Sequence, residues 1–424
     1  NRMWQGTDQK NHQTTAAHIP MLFHKNPRNI LVVGLGTGQT ARSFLSHPVE
    51  KLDVVEIEQG LVNLVVEHFD GASWMGREEV EMIIDDGRNY VSHTSGTYDV
   101  VSLEVGQVFR PGVATFYTRE FYQEVRGRLS PGGVVCQFVR LNFLSRDDFL
   151  SVVATFTETF PQSVLWYNTS ELLLVGMAAD RIELPDARIG FLDSEALQQD
   201  LDFAYWGGGR QTLQKKHVFL GGFLCGPSDL DRMTAGASIY LDDRPLLEYL
   251  RLKDLEYHRP VIELIEDHLT PLPEILEKPL SNALIASSHR VRRDNLRSIL
   301  TDQYVEAGNR LFDEGDQRGG IAVLSYALSL LPDHTAANTN LGDRYLQLQQ
   351  MNKGINFYLR AVNIDNDLAS IHNRLGFLYL QVNQPARARL HLEEALRVSP
   401  EDFQSVMVLA DLLSTHPDAS IRDG

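Results

Sequence analysis

The chain has 424 residues, 43% of them hydrophobic and 22% charged, with a formal net charge of −17. That composition fits a globular protein of two or three domains and disfavours a nucleic-acid partner, which needs a basic face. Two cysteines, Cys136 and Cys225, make neither a disulfide framework nor a zinc set, so a reducing, cytoplasmic setting and no metal are expected.

No apolar run approaches the roughly 18 residues of a membrane span, and no secretory signal is visible. The first residue is Asn1 rather than Met, so the chain reads as a piece of something longer. Residues 1–25 form a polar lead-in that turns apolar and aromatic at "HIPMLFH". From 26 to 180, strand-like and helix-like stretches alternate. "NILVVGLG", "KLDVVEIE", "VEMIIDDG", "YDVVSLEV" and "VVCQFV" read as strands. "TGQTARSFLSH", "QGLVNLVVEHF", "TREFYQEVRGRL" and "DDFLSVVATFTETF" read as helices, "SPGG" as a turn, and "SVLWYNTSELLLVG" as a hairpin-like pair. The alternation predicts an α/β fold with a doubly wound, Rossmann-like parallel sheet.

Residues 181–300 read as an irregular helical extension and linker, broken by "YWGGGR", "CGPSD" and "TPLPEI". Beyond it, Gly308, Gly342, Gly376 and Ala410 recur every 34 residues. Leu311, Tyr345 and Tyr379 follow the three glycines by three residues, and Ala327, Ala361 and Ala395 by nineteen. Small residues suit helix crossings and large ones fill the space between units. Residues 301–416 are therefore read as an all-α array similar to tetratricopeptide repeats. Such arrays commonly hold a peptide or a protein, and some only buttress their own chain.

The candidate site lies at the strand ends. "GLGTG" sets Gly34, Gly36 and Gly38 between a strand and a helix, where glycine lets the backbone turn sharply and approach a ligand. Glu56 follows about 20 residues on, where an acid can accept both hydroxyls of a ribose; the competing reading is a solvated strand end. Asp86, with Asp85 as its alternative, ends the third strand, and Glu104 ends the fourth. Ligands of open α/β sheets bind outside the carboxyl ends of strands, so these acids should converge on one crevice. No Lys-Ser/Thr follows the glycines, as a triphosphate site would need. The reading is an adenosine-bearing, phosphate-free molecule: S-adenosylmethionine or its decarboxylated form. Phe116, Tyr117, Trp166 and Tyr167 either shape a slot for a methylene-rich substrate or belong to the core.

In order, "HQTTAAHIPMLFH", "GLGTG", "VVEIE", "DDGRNY", "YDVVSLE", "FYTREFY", "LSPGGVVCQFV" and "LDDRPLLEY" resemble the spermidine synthase-like proteins over about residues 1–250. The likeness is closest to a bacterial branch often fused to upstream membrane-spanning segments, which would suit an absent anchor. It implies a fold of the S-adenosylmethionine-dependent methyltransferase type, and a homodimer. It implies aminopropyl transfer from decarboxylated S-adenosylmethionine to a di- or polyamine. Gln13 and His18 match residues that line the crevice and help to hold the amine. Gly34, Gly36, Gly38 and Glu56 match cofactor-binding positions, and Asp86 matches an acid that bonds the adenine amine. Glu104 matches the first acid of an Asp-x-x-Asp loop.

Three positions depart from that pattern: Gln107 replaces the second acid, Thr37 an acid of the glycine loop, and His12 a tyrosine. The amine must shed a proton before it attacks, and an amide is no base. Three readings follow. Glu104 both orients the amine and takes its proton; Asp242 or Asp243 of "LDDRPLLEY" reaches in, unless that pair is a cap or turn; or the chemistry is a different one. A methyltransferase and a non-catalytic nucleotide-binding scaffold with protein-binding repeats stand as alternatives.

Overall fold

A computed structural model describes residues 10–69, 72–105, 112–141, 144–203, 205, 209–244, 247 and 258–415. The chain divides into two units, one of residues 1–203 and 211–295, the other of 204–210 and 296–424.

The first unit is built on one eight-stranded sheet. Its strands are β1 (Asn29–Val33), β2 (Lys51–Glu56), β3 (Val80–Ile84), β4 (Tyr98–Leu103), β5 (Leu129–Val139), β6 (Ser163–Tyr167), β7 (Leu172–Met177) and β8 (Phe223–Cys225). The spatial order is β3-β2-β1-β4-β5-β7-β6-β8. The five strands from β3 to β5 are parallel, and β7, β6 and β8 continue the sheet antiparallel. The order reverses between β1 and β4, the place where such sheets open a crevice.

The helices α1 (His12–Met21), α2 (Gln39–Phe44), α3 (Gln59–His68), α4 (Gly87–His93), α5 (Arg119–Arg126) and α6 (Arg146–Thr159) punctuate the strands. The central strands β1 and β4 are largely apolar because both faces are covered: Leu31, Val32, Val100 and Val101 are wholly buried. Phe116 and Tyr117, with Trp166 and Tyr167 on β6, are buried too, which favours their reading as core. The expected turn at "SPGG" is instead the start of β5, where the pairing with β4 slips between Tyr98 and Val100 and Gly132 takes a left-handed φ of 79°.

The stretch 181–300 is more than a connection. It supplies β8 to the sheet and the helices α7 (Asp186–Phe191), α8 (Glu195–Asp200), α9 (Lys216–Leu220), α10 (Pro227–Met233) and α11 (His258–Glu266). Its three-residue strand is too short to show a period in sequence. Helix α12 (Asn282–Asp313) runs unbroken across position 300, where a boundary was expected.

The second unit continues with α13 (Gln317–Leu330), α14 (Thr335–Gln347), α15 (Met351–Ile364), α16 (Ala369–Gln381), α17 (Pro385–Val398) and α18 (Phe403–Thr415). The 34-residue glycines sit at helix crossings. A Cβ on Gly342 would lie 2.5 Å from the ring of Tyr358, and one on Gly308 or Gly376 would lie 2.7 Å from Leu324 or Leu392. Ala327, Ala361 and Ala395 are fully buried. Polar side chains tie successive units together: Asn309 to Asn340 at 2.8 Å, Arg344 to Asp313 at 2.7 Å and Asn373 to Asp402 at 2.6 Å. Among the described residues, no helix is long and apolar enough to cross a membrane.

Candidate active site

The backbone fixes the glycine loop at the carboxyl ends of β1, β2 and β4. Gly34 N–H donates to Val55 O at 2.8 Å, and Glu104 N–H donates to Val33 O at 2.9 Å. Gly34, Gly36 and Gly38 all have φ between 55° and 97°, a left-handed conformation that suits glycine. One wall follows: Gly34 faces Glu104, so closely that a Cβ on the glycine would lie 3.4 Å from that of Glu104.

Glu56 ends β2 beside this loop. Its carboxylate accepts from Leu35 N–H at 2.9 Å and from Glu58 N–H at 3.0 Å, so it also holds the loop in shape. A carboxylate has about four acceptor positions, which leaves capacity for two hydroxyls. Ile57 is 67% exposed and Ile84, at the end of β3, is 44% exposed. Apolar residues left open on either side of an acid offer a face to a flat ring. The signal, an isoleucine between two glutamates at a strand end, is visible in the sequence but weak alone.

Asp86 is the N-cap of α4: one of its oxygens accepts from Arg88 N–H and Asn89 N–H, both at 3.0 Å. Asp85 Oδ1 accepts from Asp86 N–H at 2.8 Å. Both lie next to Glu56, since Asp85 N–H donates to Glu56 O at 3.2 Å. The strand ends thus bring Glu56, Asp86, the glycine loop and Glu104 to one edge of the sheet.

Glu104 receives the hydroxyl of Ser102 at 2.7 Å and that of Thr40 at 3.1 Å. Burial pushes its carboxyl up to about 7; those two hydroxyls oppose the shift, the charge of Glu171 adds to it, and that of Arg140 counters it. Thr40 also donates to Gln13 O at 3.2 Å, and Thr37 donates to Gln13 Oε1 at 3.3 Å. Gln13 is therefore at the crevice, beside the threonine that stands in the glycine loop. His12 is held down near 4 by burial and by Arg140.

His18 sits elsewhere. It is fully buried, with Nδ1 2.9 Å from His47 and Nε2 3.1 Å from Asp200. Arg188 donates to the remaining nitrogen of His47 at 3.1 Å, which fixes both tautomers: guanidinium to His47 to His18 to carboxylate. Burial, with the charge of Arg188, holds the His47 imidazole well below its ordinary range. Burial would raise Asp200, but hydrogen bonds from His18 and Lys10 and the charge of Lys10 hold it well below the usual carboxylate range. This relay ties α1 to the 181–300 extension and leaves His18 no open face toward an amine.

Asp242 is also committed. It forms a two-pronged ion pair with Arg88 and accepts the Thr118 hydroxyl at 2.6 Å. Partial burial works against its charge, but Arg88 and Thr118 outweigh it and the carboxyl lies below its ordinary value. It clasps α4 to the start of α5, and Asp243 lies exposed in the turn beside it. Neither is linked to Glu104 by a hydrogen bond, so the cap-or-turn reading fits them better than that of a base. Asp242→Asn is expected to cost about 1 kcal/mol, discounted for solvent screening of a partly exposed pair, and to leave turnover unchanged; urea unfolding and initial rates check both. Gln107 lies outside the described residues.

A doubly wound sheet with a glycine loop, an acid at the end of its second strand and a carboxylate after its fourth defines an α/β domain with its polar groups gathered at the strand ends. Residues 9–177 match the family model for the spermine/spermidine synthase domain, and residues 342–383 and 369–402 match tetratricopeptide repeat models. The chain thus carries a spermine/spermidine synthase domain followed by tetratricopeptide repeats.

Among similar proteins, polyamine aminopropyltransferase 2 of Hyperthermus butylicus is 39% identical over 28% of this chain and 40% of its own length. Polyamine aminopropyltransferase 2 of Pseudomonas aeruginosa is 38% identical over 30% of this chain and 38% of its own length. A solved spermidine synthase from Thermotoga maritima aligns at 24% identity over 39% of this chain and 59% of that one, with a TM-score of 0.35. The chain therefore spans about two fifths of the length of the two curated relatives.

Proposed function

We propose that the first unit transfers an aminopropyl group from decarboxylated S-adenosylmethionine to a di- or polyamine. The observation that carries this reading is Glu104: one carboxylate, beside the glycine loop, poised near neutrality by burial. The donor supplies a sulfonium whose adjacent carbon is open to attack. In this reading Glu56 accepts the ribose hydroxyls, Asp86 faces the adenine amine, and Ile57 and Ile84 flank the ring. Gln13 and Thr37 border the transferred chain.

Glu104 takes the proton that the acceptor nitrogen sheds. The new N–C bond forms as the C–S bond breaks, and methylthioadenosine leaves neutral. The repeats fit a peptide or protein partner, the use to which such arrays are commonly put.

A base must be ionised to act. kcat/KM, which reports the free protein, is therefore expected to rise with pH through about 7 and then level off. Stability moves the other way. A carboxyl whose folded value is raised contributes stability present below its ordinary value and lost as pH rises through about 7. A cationic donor offsets that loss, so its affinity should grow over the same interval. Calorimetric titration with decarboxylated S-adenosylmethionine at pH 6 and pH 8 tests the reading. Tighter binding at the higher pH supports it, and absence of binding at both overturns it.

One observation favours a second reading. The glycine loop presents Thr37, bonded to the amide of Gln13, where the resemblance calls for an acid. A neutral pair does not repel the carboxylate of intact S-adenosylmethionine, which suits methyl transfer. Product identity separates the two.

A further inference from the structure

The edge of the sheet that carries Glu104 holds a further carboxylate that the sequence reading did not single out. Glu171 immediately precedes β7. The antiparallel register sets Val139 opposite Leu172, which brings Arg140, next after β5, to Glu171. Arg140 Nε lies 2.9 Å from Glu171 Oε1. The other oxygen, Oε2, is buried and has no hydrogen-bond partner among the described residues. An ionised oxygen left so is costly unless a cation meets it.

The turn that carries Glu171 is built into the frame of Glu104. Asn168 accepts from Glu171 N–H at 2.8 Å and donates to His12 O at 3.2 Å. Thr15 donates to Asn168 O at 2.9 Å. His12 and Thr15 belong to α1, whose Gln13 meets Thr37 and Thr40, and Thr40 meets Glu104. Along the sheet edge β5 alone separates β4 from β7, so the two acids stand about two strand spacings, roughly 10 Å, apart. Glu171 is close enough to add its charge to the surroundings of Glu104 and Tyr117. An alkyl amine of a few carbons spans such an interval.

We propose that Glu171 is a binding residue for the acceptor: its free oxygen takes an ammonium group of the amine, while Arg140 fixes the other oxygen. The proposal rests on the aminopropyl-transfer reading. It explains how a neutral Gln107 is tolerated, because a second acid enters from the β6–β7 turn rather than from the loop after β4.

The test is calorimetry of putrescine and spermidine with the full chain, beside methylthioadenosine as a probe of the nucleoside side. Glu171→Gln is expected to weaken amine binding about 10- to 100-fold, the usual worth of a charged hydrogen bond, with methylthioadenosine binding unchanged. In turnover it raises KM for the amine and leaves kcat within a few fold. Arg140→Leu keeps the ammonium ligand and removes only its ion-pair partner, so it is expected to weaken amine binding less than Glu171→Gln does. If Glu171→Gln lowers Tm, the double variant Glu171→Gln/Arg140→Leu, which strands no charge, carries the same expectation. Undiminished amine binding in Glu171→Gln overturns the proposal, as does a larger loss on Arg140→Leu than on Glu171→Gln. Should wild type release methylthioadenosine while Glu171→Gln binds amine normally, only this assignment falls. Should wild type neither bind nor convert any amine, the parent reading falls with it.

Discussion

Glu104→Gln is expected to lower the rate of aminopropyl transfer at pH 8 by about 10²- to 10⁴-fold, the range for removal of a general base. Affinity for the donor at pH 8 should fall no further than to the value the wild type shows at pH 6, where Glu104 is protonated. Glutamine has the size of glutamate; where Ser102 and Thr40 donate to separate carboxylate oxygens at 2.7 and 3.1 Å, its carbonyl oxygen accepts one hydroxyl and its NH2 donates to the other. The loop is therefore expected to keep its shape. What the amide cannot do is take a proton. The pH dependence should vanish with the group: a residual rate that no longer rises through pH about 7 identifies Glu104 as its source. Single-turnover rates and calorimetry on one preparation check both halves. If donor affinity falls below that wild-type value at pH 6 along with turnover, Glu104 is a donor contact and not a base.

Gly38→Ala is expected to cost about 2–4 kcal/mol of stability, the sum of an L-residue forced left-handed and an overpacked contact. Gly38 has φ 79°, and a Cβ there would lie 2.8 Å from the Trp74 ring and 3.3 Å from Leu35. Trp74 is only 6% exposed and has little room to retreat. Relief must come from the loop, which is the wall of the crevice, so methylthioadenosine should bind at least about tenfold more weakly, as a shift of an ångström or so commonly costs. Urea unfolding and calorimetry measure the two effects. An alanine variant of wild-type stability and affinity would mean that the loop conformation is not what forms the site.

Much of this was legible because it is local. The strands β1, β2 and β4 are valine- and leucine-rich and end at or just before Gly34, Glu56 and Glu104, and a parallel sheet must bring such ends to one edge. The repeat was legible from its period, since a glycine is required wherever Tyr358 or Leu392 crosses a helix. The rest depends on partners distant in sequence. His18 carries the right residue type at the right place in the motif order. Its environment is set by Asp200, 182 positions away, and by His47, and those fill both its nitrogens. Asp242 looked available as a base because nothing in "LDDRPLLEY" announces Arg88, 154 positions earlier. Arg140 and Glu171 were missed for the same reason: single charges beside strands, given meaning only by the β5–β7 register.

The most direct measurement of the central claim is the product of one incubation. The 424-residue chain is mixed with decarboxylated S-adenosylmethionine and a panel of di- and polyamines, in parallel with S-adenosylmethionine, and followed by mass spectrometry. Aminopropyl transfer yields methylthioadenosine in amounts that depend on the amine, together with that amine heavier by one aminopropyl group. S-adenosylhomocysteine from the parallel mixture, or no product from either while a nucleoside still binds, would contradict it.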